Sequence, residues 1–156
     1  MDALTPDIIE IAPTDPRVAG LIEAHLTLMR ASSPACSVHA MEASDLAEAG
    51  ARFFAVFDGD EAIAMGALKA LTGPKGEIKS MHVRADKRGQ GLADRVLGHL
   101  LQAARDAGWT RVSLETGSQE AFFPARQFYA RHGFSNCGPF EGYGVDPNSV
   151  FMSRLV

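Results

Sequence analysis

The chain has 156 residues, 46% of them hydrophobic and 22% charged, enough for one domain whose core needs no metal or disulfide as a staple. With 15 Lys and Arg against 19 Asp and Glu, the net charge of −4 argues against a polyanion-binding surface, and no nucleic-acid partner is expected. Apolar runs such as Ala62 to Leu71 fall far short of the ~20 residues that span a bilayer, and Met1-Asp2-Ala3-Leu4 does not open a secretory leader, so no membrane partner and a cytoplasmic setting are expected.

No repeat, low-complexity tract or linker divides the sequence, and residues 1–156 read as a single domain. Asp7-Ile8-Ile9-Glu10-Ile11 alternates like a strand, and Thr14-Asp15-Pro16 offers a helix cap followed by Pro at a permitted first position. Val18, Leu21, Ile22, His25, Leu26 and Met29 then recur at helical spacing until Ser32-Ser33-Pro34 ends the pattern. Cys36 follows. It is far from Cys137, neither has a His or Cys at metal-binding spacing, and both read as free thiols in a reducing compartment, with one long-range disulfide left open.

After a short second helix, Arg52 to Phe57 and Ala62 to Leu71 form a hairpin around Asp58-Gly59-Asp60. Glu77 to Val83 adds a third antiparallel strand. From Gly91 onward Leu92, Val96, Leu97, Leu100, Leu101 and Ala104 make one apolar stripe, which predicts an amphipathic helix stopped by Gly108. Arg111 to Thr116 returns as a strand through a right-handed crossover, so it should lie parallel to an earlier one. A helix over Ala121 to His132 and strands at Phe134 to Cys137 and Val150 to Leu155 complete a mixed sheet.

Between Val83 and the striped helix lies Arg84-Ala85-Asp86-Lys87-Arg88-Gly89-Gln90-Gly91-Leu92-Ala93, a basic loop that opens into a helix N-terminus. Free N–H groups of a first helical turn favour an anion, and glycines let phosphate oxygens reach the backbone without meeting a Cβ. The dipole alone, at ~0.3–1 kcal/mol, holds no ligand, so several backbone hydrogen bonds must add to it. The same residues also suit an ordinary turn. A dinucleotide fingerprint fits worse: Asp94 stands at its third glycine, and five residues separate Val83 from Gly89.

Arg88-Gly89-Gln90-Gly91-Leu92-Ala93 matches the [RQ]-x-x-G-x-[GA] signature of the GNAT superfamily of acetyl-CoA-dependent N-acetyltransferases. The strand before it, the striped helix, the strand at Val112 and Ala125 to Phe134 resemble successive motifs of that superfamily, in order, over residues 50–156. Glu77 to Met81, Leu114 to Ser118 and Asp146 to Met152 are similar to a bacterial branch, the YsnE-like N-acetyltransferases. The resemblance implies an α/β (α+β) fold with a mixed, mostly antiparallel sheet of about 6–7 strands and helices on both faces. It implies acetyl-CoA as cosubstrate, no metal, and direct acetyl transfer to a primary amine, expected to belong to a small metabolite. A CoA-binding sensor without catalysis and an acetyltransferase acting on a protein or peptide amine are the alternatives. Homodimer formation stays open.

By the same resemblance, backbone N–H groups of Arg88, Gly89, Gln90, Gly91, Leu92 and Ala93 would hold the pyrophosphate. Main-chain groups of Met81, His82 and Val83 would pair with the pantetheine arm, one N–H polarising the thioester carbonyl. Tyr129 matches the tyrosine beside the sulfur and is the candidate general acid, a phenol being protonated at neutral pH; as a packed aromatic it would also fit its helical face. Phe122 departs from the family, where many members have Asn. The amine must lose a proton, since one with a pKa near 10.4 is well under about 1% neutral at pH 7. Glu115 is the first candidate base and Glu77 the second, each equally a solvated or ion-paired strand residue; His82 is a further one. His25, His39, His99 and His132 show no ligand spacing and are given no chemistry. For the acceptor, Glu141, Tyr143 and Asp146 could orient a cation, with Phe53 and Tyr143 as apolar walls.

Overall fold

The computed structural model describes residues 7–34 and 37–156, so Cys36 lies outside the described residues, while Cys137 is an exposed free thiol. Among the described residues, seven strands form one sheet in the order β1-β2-β3-β4-β5-β7-β6. The strands are β1 Ile8–Ile11, β2 Arg52–Asp58, β3 Glu61–Ala70, β4 Lys75–Val83, β5 Arg111–Gly117, β6 Ser135–Cys137 and β7 Ser149–Leu155. All neighbours are antiparallel except β4 and β5, the pair joined by the expected crossover. The helices are α1 Pro16–Ser32, α2 Ala43–Glu48, α3 Leu92–Asp106 and α4 Phe123–Arg131. Asp15 caps α1 by accepting from the Arg17 N–H at 2.9 Å, with Pro16 at the first position, as the sequence pattern requires. The fourth helix is shorter than the expected Ala121 to His132: Glu120–Phe122 wind as a separate, tighter 3-10 turn, and α4 begins only at Phe123, with Pro124 in its first turn.

Two apolar clusters occupy the two faces. On one, α1 and α2 supply Val18, Leu21, Ile22, Leu26 and Leu46 against Phe53, Ala55, Met65 and Ala67. On the other, the stripe of α3, with Tyr129 of α4, covers Phe54, Ile63, Leu68, Ile78, Val112 and Leu114. This assignment settles the faces of β5: Val112 and Leu114 lie under α3, which turns Ser113 and Glu115 toward α1.

Gly76 in β4 is held to glycine by Trp109, whose ring would stand 1.9 Å from a Cβ placed there. Gly76→Ala should lower stability by about 2–3 kcal/mol through overpacking. Denaturant unfolding read by the fluorescence of Trp109, the single tryptophan of the chain, checks this: the emission should shift in the folded variant as the indole is displaced.

Candidate functional site

The site starts where the sheet comes apart. β4 pairs with β5 only at Lys75–Arg111, Gly76–Val112 and Glu77–Ser113, after which the strands diverge. The cleft between them is lined from β4 by Glu77 to Met81 and from β5 by Leu114 to Gly117. Past Glu77, β4 keeps β3 on its other side but has no partner across the gap, so main-chain groups aimed there are open to an extended ligand.

A bulge sits in the middle of this open edge. Met65 pairs with His82 and Ala67 with Lys79, so β4 spends one residue more than β3 over the same span. Ser80 absorbs it with φ 57°, a left-handed conformation that costs a side-chain-bearing residue roughly 1–2 kcal/mol. The bulge inverts the alternation. Before it, Ile78 lies under α3 and Glu77 and Lys79 face α1; beyond it, Met81 and Val83 pack under α3 and His82 meets His25 of α1. Ser80 Oγ is buried at the cleft without a hydrogen-bond partner among the described residues. Gly66 accommodates the bulge, since a Cβ there would lie 2.8 Å from Met81 Sδ and 2.9 Å from Val96.

From Val83 the chain makes a 3-10 turn, Ala85–Lys87, and enters α3 through Gly89 (φ 80°) and Gly91 (φ 78°). Gly91 is the N-cap, and no side chain caps the helix, so the first-turn N–H groups retain the unmet donor capacity an anion would use. Arg84 is committed to Asp86 and Glu61 at 2.6 and 2.9 Å. Arg88 is exposed beside the glycines, its Nε donating to the Val83 carbonyl at 3.2 Å. The open edge of β4 could pair with an extended group, and the loop from Arg88 to Ala93 could receive an anion.

Glu77 is 2% exposed and engaged through one oxygen: Tyr143 Oη donates to its Oε2 at 2.7 Å, and Lys79 Nζ stands 3.3 Å from the same oxygen and 3.0 Å from Tyr143 Oη. Burial, then the charges of Glu77 and Glu115, push the Tyr143 phenol well above its usual range, which keeps it a donor. Glu115 accepts from Ser149 Oγ at 2.7 Å and meets His39 Nδ1 at 2.8 and 2.7 Å with its two oxygens. Both carboxylates line the cleft, so the structure brings the two sequence candidates together.

His25 and His82 face each other with 3.2 Å between their Nδ1 atoms, so one ring donates and the other accepts. Burial first, then His82 and Lys79, push His25 down to about 4; burial and then Arg88 push His82 down to about 4 as well. An unfolded imidazole titrates near 6.5, so between pH 6.5 and about 4 the unfolded chain holds more protons than the folded one. The stability contributed by the neutral pair is therefore complete above pH 6.5 and is lost as the pH falls toward 4. Equilibrium unfolding across this window should show a loss on the order of 3 kcal/mol from His25, with less from the better solvated His82. A double variant His25→Gln/His82→Gln should flatten that part of the profile.

Tyr129 enters the cleft from the α3 side. It packs edge-on against Phe128 and Phe134, and burial raises its phenol well above its usual range. Phe122, at the position where the family often has Asn, lines the cleft and lies against Gly117, where a Cβ would come within 2.1 Å of its ring. Arg126 secures this turn by donating to the carbonyls of Gly117 and Gln119 at 2.6 and 3.0 Å.

The four acceptor candidates do not converge. Phe53 is 1% exposed within the α1 cluster and is not among the cleft walls. Glu141 turns away to accept from the N–H and Oγ1 of Thr72 at 3.2 and 3.3 Å. Asp146 accepts from the Asn148 N–H at 2.8 Å and from Ser37, which lowers its pKa, and so braces the loop before β7. Tyr143 alone reaches a candidate base. Conversely, His39, Lys79 and Ser149 join the site without having been singled out; Lys79 could have been found from its same-face spacing to Glu77, whereas nothing in the pattern around His39 marks it.

A sequence model described as the acetyltransferase (GNAT) family matches residues 15–134. The chain is 43% identical to the uncharacterized N-acetyltransferase YsnE of Bacillus subtilis over 90% of this chain and 93% of that protein. It is 39% identical to the uncharacterized N-acetyltransferase YedL of Escherichia coli over 90% of this chain and 88% of that one. A solved acyl-CoA N-acyltransferase from Klebsiella pneumoniae superposes with a TM-score of 0.78 at 28% identity, covering 96% of this chain and 97% of that one.

Proposed function

Since the chain belongs to the GNAT family of acetyl-CoA-dependent N-acetyltransferases, we propose that its acceptor is the primary amine of a small metabolite, acetylated directly at the opening between β4 and β5. One observation carries this reading: the opening has Glu77 and Glu115 on its α1 side and Tyr129 on its α3 side. A base and a donor on opposite walls suit a step in which an ammonium must shed a proton while a thiolate departs. A small acceptor is favoured because the α1 side is walled: Asn148 Nδ2 donates to Ser37 Oγ at 3.3 Å, tying the loop after α1 to the loop before β7. A peptide needs a longer open groove.

In this reading, acetyl-CoA supplies an activated acetyl group. Backbone N–H groups from Arg88 to Ala93 grip its diphosphate, and an N–H at Met81 or His82 supports the carbonyl oxygen as charge develops there. Because burial keeps Tyr129 above the range of a thiol, its part is a hydrogen bond to the departing sulfur rather than outright transfer of its proton.

A screen of acetyl-CoA-dependent thiol release over free amino acids, polyamines, aminoglycosides and lysine peptides, with mass measurement of products, tests the proposal. Turnover of small amines with none on peptides is expected. Acetylation of peptides alone would overturn it, and acetyl-CoA binding with no thiol release on any amine would favour a sensor.

A further inference from the structure

The acetyl-transfer reading leaves the amine's proton to a carboxylate, but the loop after α1 adds a group to Glu115 that changes the assignment. His39 lines the cleft with Glu77, Ser80, Glu115 and Tyr129. Its Nδ1 stands 2.8 and 2.7 Å from the two oxygens of Glu115. A carboxylate only accepts, so contacts this short put a ring hydrogen on Nδ1, and in the neutral ring the lone pair is then on Nε2. Glu115 is thereby occupied, by His39 and by Ser149 Oγ at 2.7 Å, and its side chain is 12% exposed against 36% for His39. Of the two, the imidazole has the open side and contact with solvent through which a proton can leave.

We propose that His39 is the base that takes the proton of the acceptor amine, and that Glu115 is its positioning residue, holding the ring in the Nδ1–H form and supporting the imidazolium that results. A carboxylate that orients a base in this manner is the recurring arrangement of catalytic dyads and triads. The other groups facing the ring agree with it. Asp146, on the loop before β7, interacts with His39 through its charge, and the Tyr143 ring meets it edge-on at 5.2 Å. On β4, Lys79 and Glu77 neutralise each other at 3.3 Å.

The acceptor ammonium passes one proton to His39 Nε2, directly or through one water, which frees the nitrogen lone pair, and the imidazolium returns that proton to solvent. The nitrogen forms its bond to the acetyl carbonyl carbon, the carbon–sulfur bond breaks, and the second N–H proton leaves to solvent while the thiolate, hydrogen-bonded to Tyr129, takes one up, so one proton is released overall.

The proposal depends on the reading above, and the test separates the two. With an amine that the full chain acetylates in the screen, His39→Ala should lower kcat/KM at pH 7 by about 10²-fold, the contribution of a general base. Acetyl-CoA affinity by calorimetry should be unchanged. The deficit should shrink as pH rises toward the amine's own pKa, where the acceptor arrives already neutral. Long-range proton–nitrogen NMR, assigned by loss of signals in His39→Ala, should find His39 as the Nδ1–H tautomer in the wild type and a mixture of tautomers in Glu115→Ala. A deficit under about threefold, a deficit independent of pH, or an Nε2–H tautomer in the wild type overturns the proposal. If the wild type acetylates no small amine, the earlier reading fails by itself; an Nδ1–H tautomer would still support the dyad and an Nε2–H tautomer would still overturn it.

Discussion

Tyr129→Phe should reduce kcat by about 10²-fold or more while leaving acetyl-CoA affinity within about twofold. The substitution removes one oxygen from a ring already fixed by Phe128 and Phe134, so packing is conserved and only the donor is lost. The Tyr129 side chain is buried on the α3 side of the cleft, where a departing thiolate would find little water. A hydrogen bond to an ionised acceptor is worth most in such a place. Because the charge on sulfur exists only as the carbon–sulfur bond breaks, the loss belongs in turnover rather than in binding. Steady-state kinetics at saturating substrate together with calorimetry separate these. Unchanged kcat would assign Tyr129 to packing alone.

Gly91→Val should weaken acetyl-CoA binding by about tenfold or more. Gly91 has φ 78° at the N-cap of α3, and open space surrounds the position of a Cβ. The Cβ therefore meets no neighbour within the protein; the branches beyond it would occupy the approach to the first-turn N–H groups that an incoming diphosphate would need. The left-handed backbone adds a stability cost of roughly 1–2 kcal/mol for any side chain, which Gly91→Ala should share without the same obstruction. Calorimetric titration of acetyl-CoA into both folded variants reads the difference. Equal, wild-type affinity in Gly91→Val would remove the loop from the cosubstrate site.

Much of the scaffold was legible because its determinants are local in the chain. The α3 stripe from Leu92 to Ala104, the Asp15-Pro16 start of α1, and the Asp58-Gly59-Asp60 turn each have a periodicity or a backbone requirement that a short window contains. The glycine-bearing entry to α3 at Arg88 to Ala93 is of the same kind, since glycines with positive φ and an uncapped helix start act over a few residues. The bulge at Ser80 escaped such a reading. Its trace in the sequence is Lys79-Ser80, two polar residues in a row that shift the phase of the alternation between Ile78 and Met81, but that pair marks a bulge only once β4 is laid against β3. That bulge decides that His82 faces α1 with Glu77 and Lys79.

The acceptor side shows the same division. Alternation grouped Glu115 with Ser113, but could not say which layer they meet; the choice follows from α3 covering Val112 and Leu114. Phe53 went into the core because the α1 layer closes over that face of β2, and Glu141 turned to Thr72 because its loop reaches the far end of the β3–β4 hairpin.

By itself, then, the sequence determined the order of elements, the crossover that makes β4 and β5 parallel, and a glycine-bearing loop that opens into α3, all of which depend on spacing along the chain. Only the tertiary structure decided which carboxylates share the cleft and that His39, 76 residues before Glu115, lies against it. The physical reason is that hydrogen bonds and burial act over a few ångströms in space. Where two strands splay and two distant loops meet, those ångströms correspond to no regular separation in sequence.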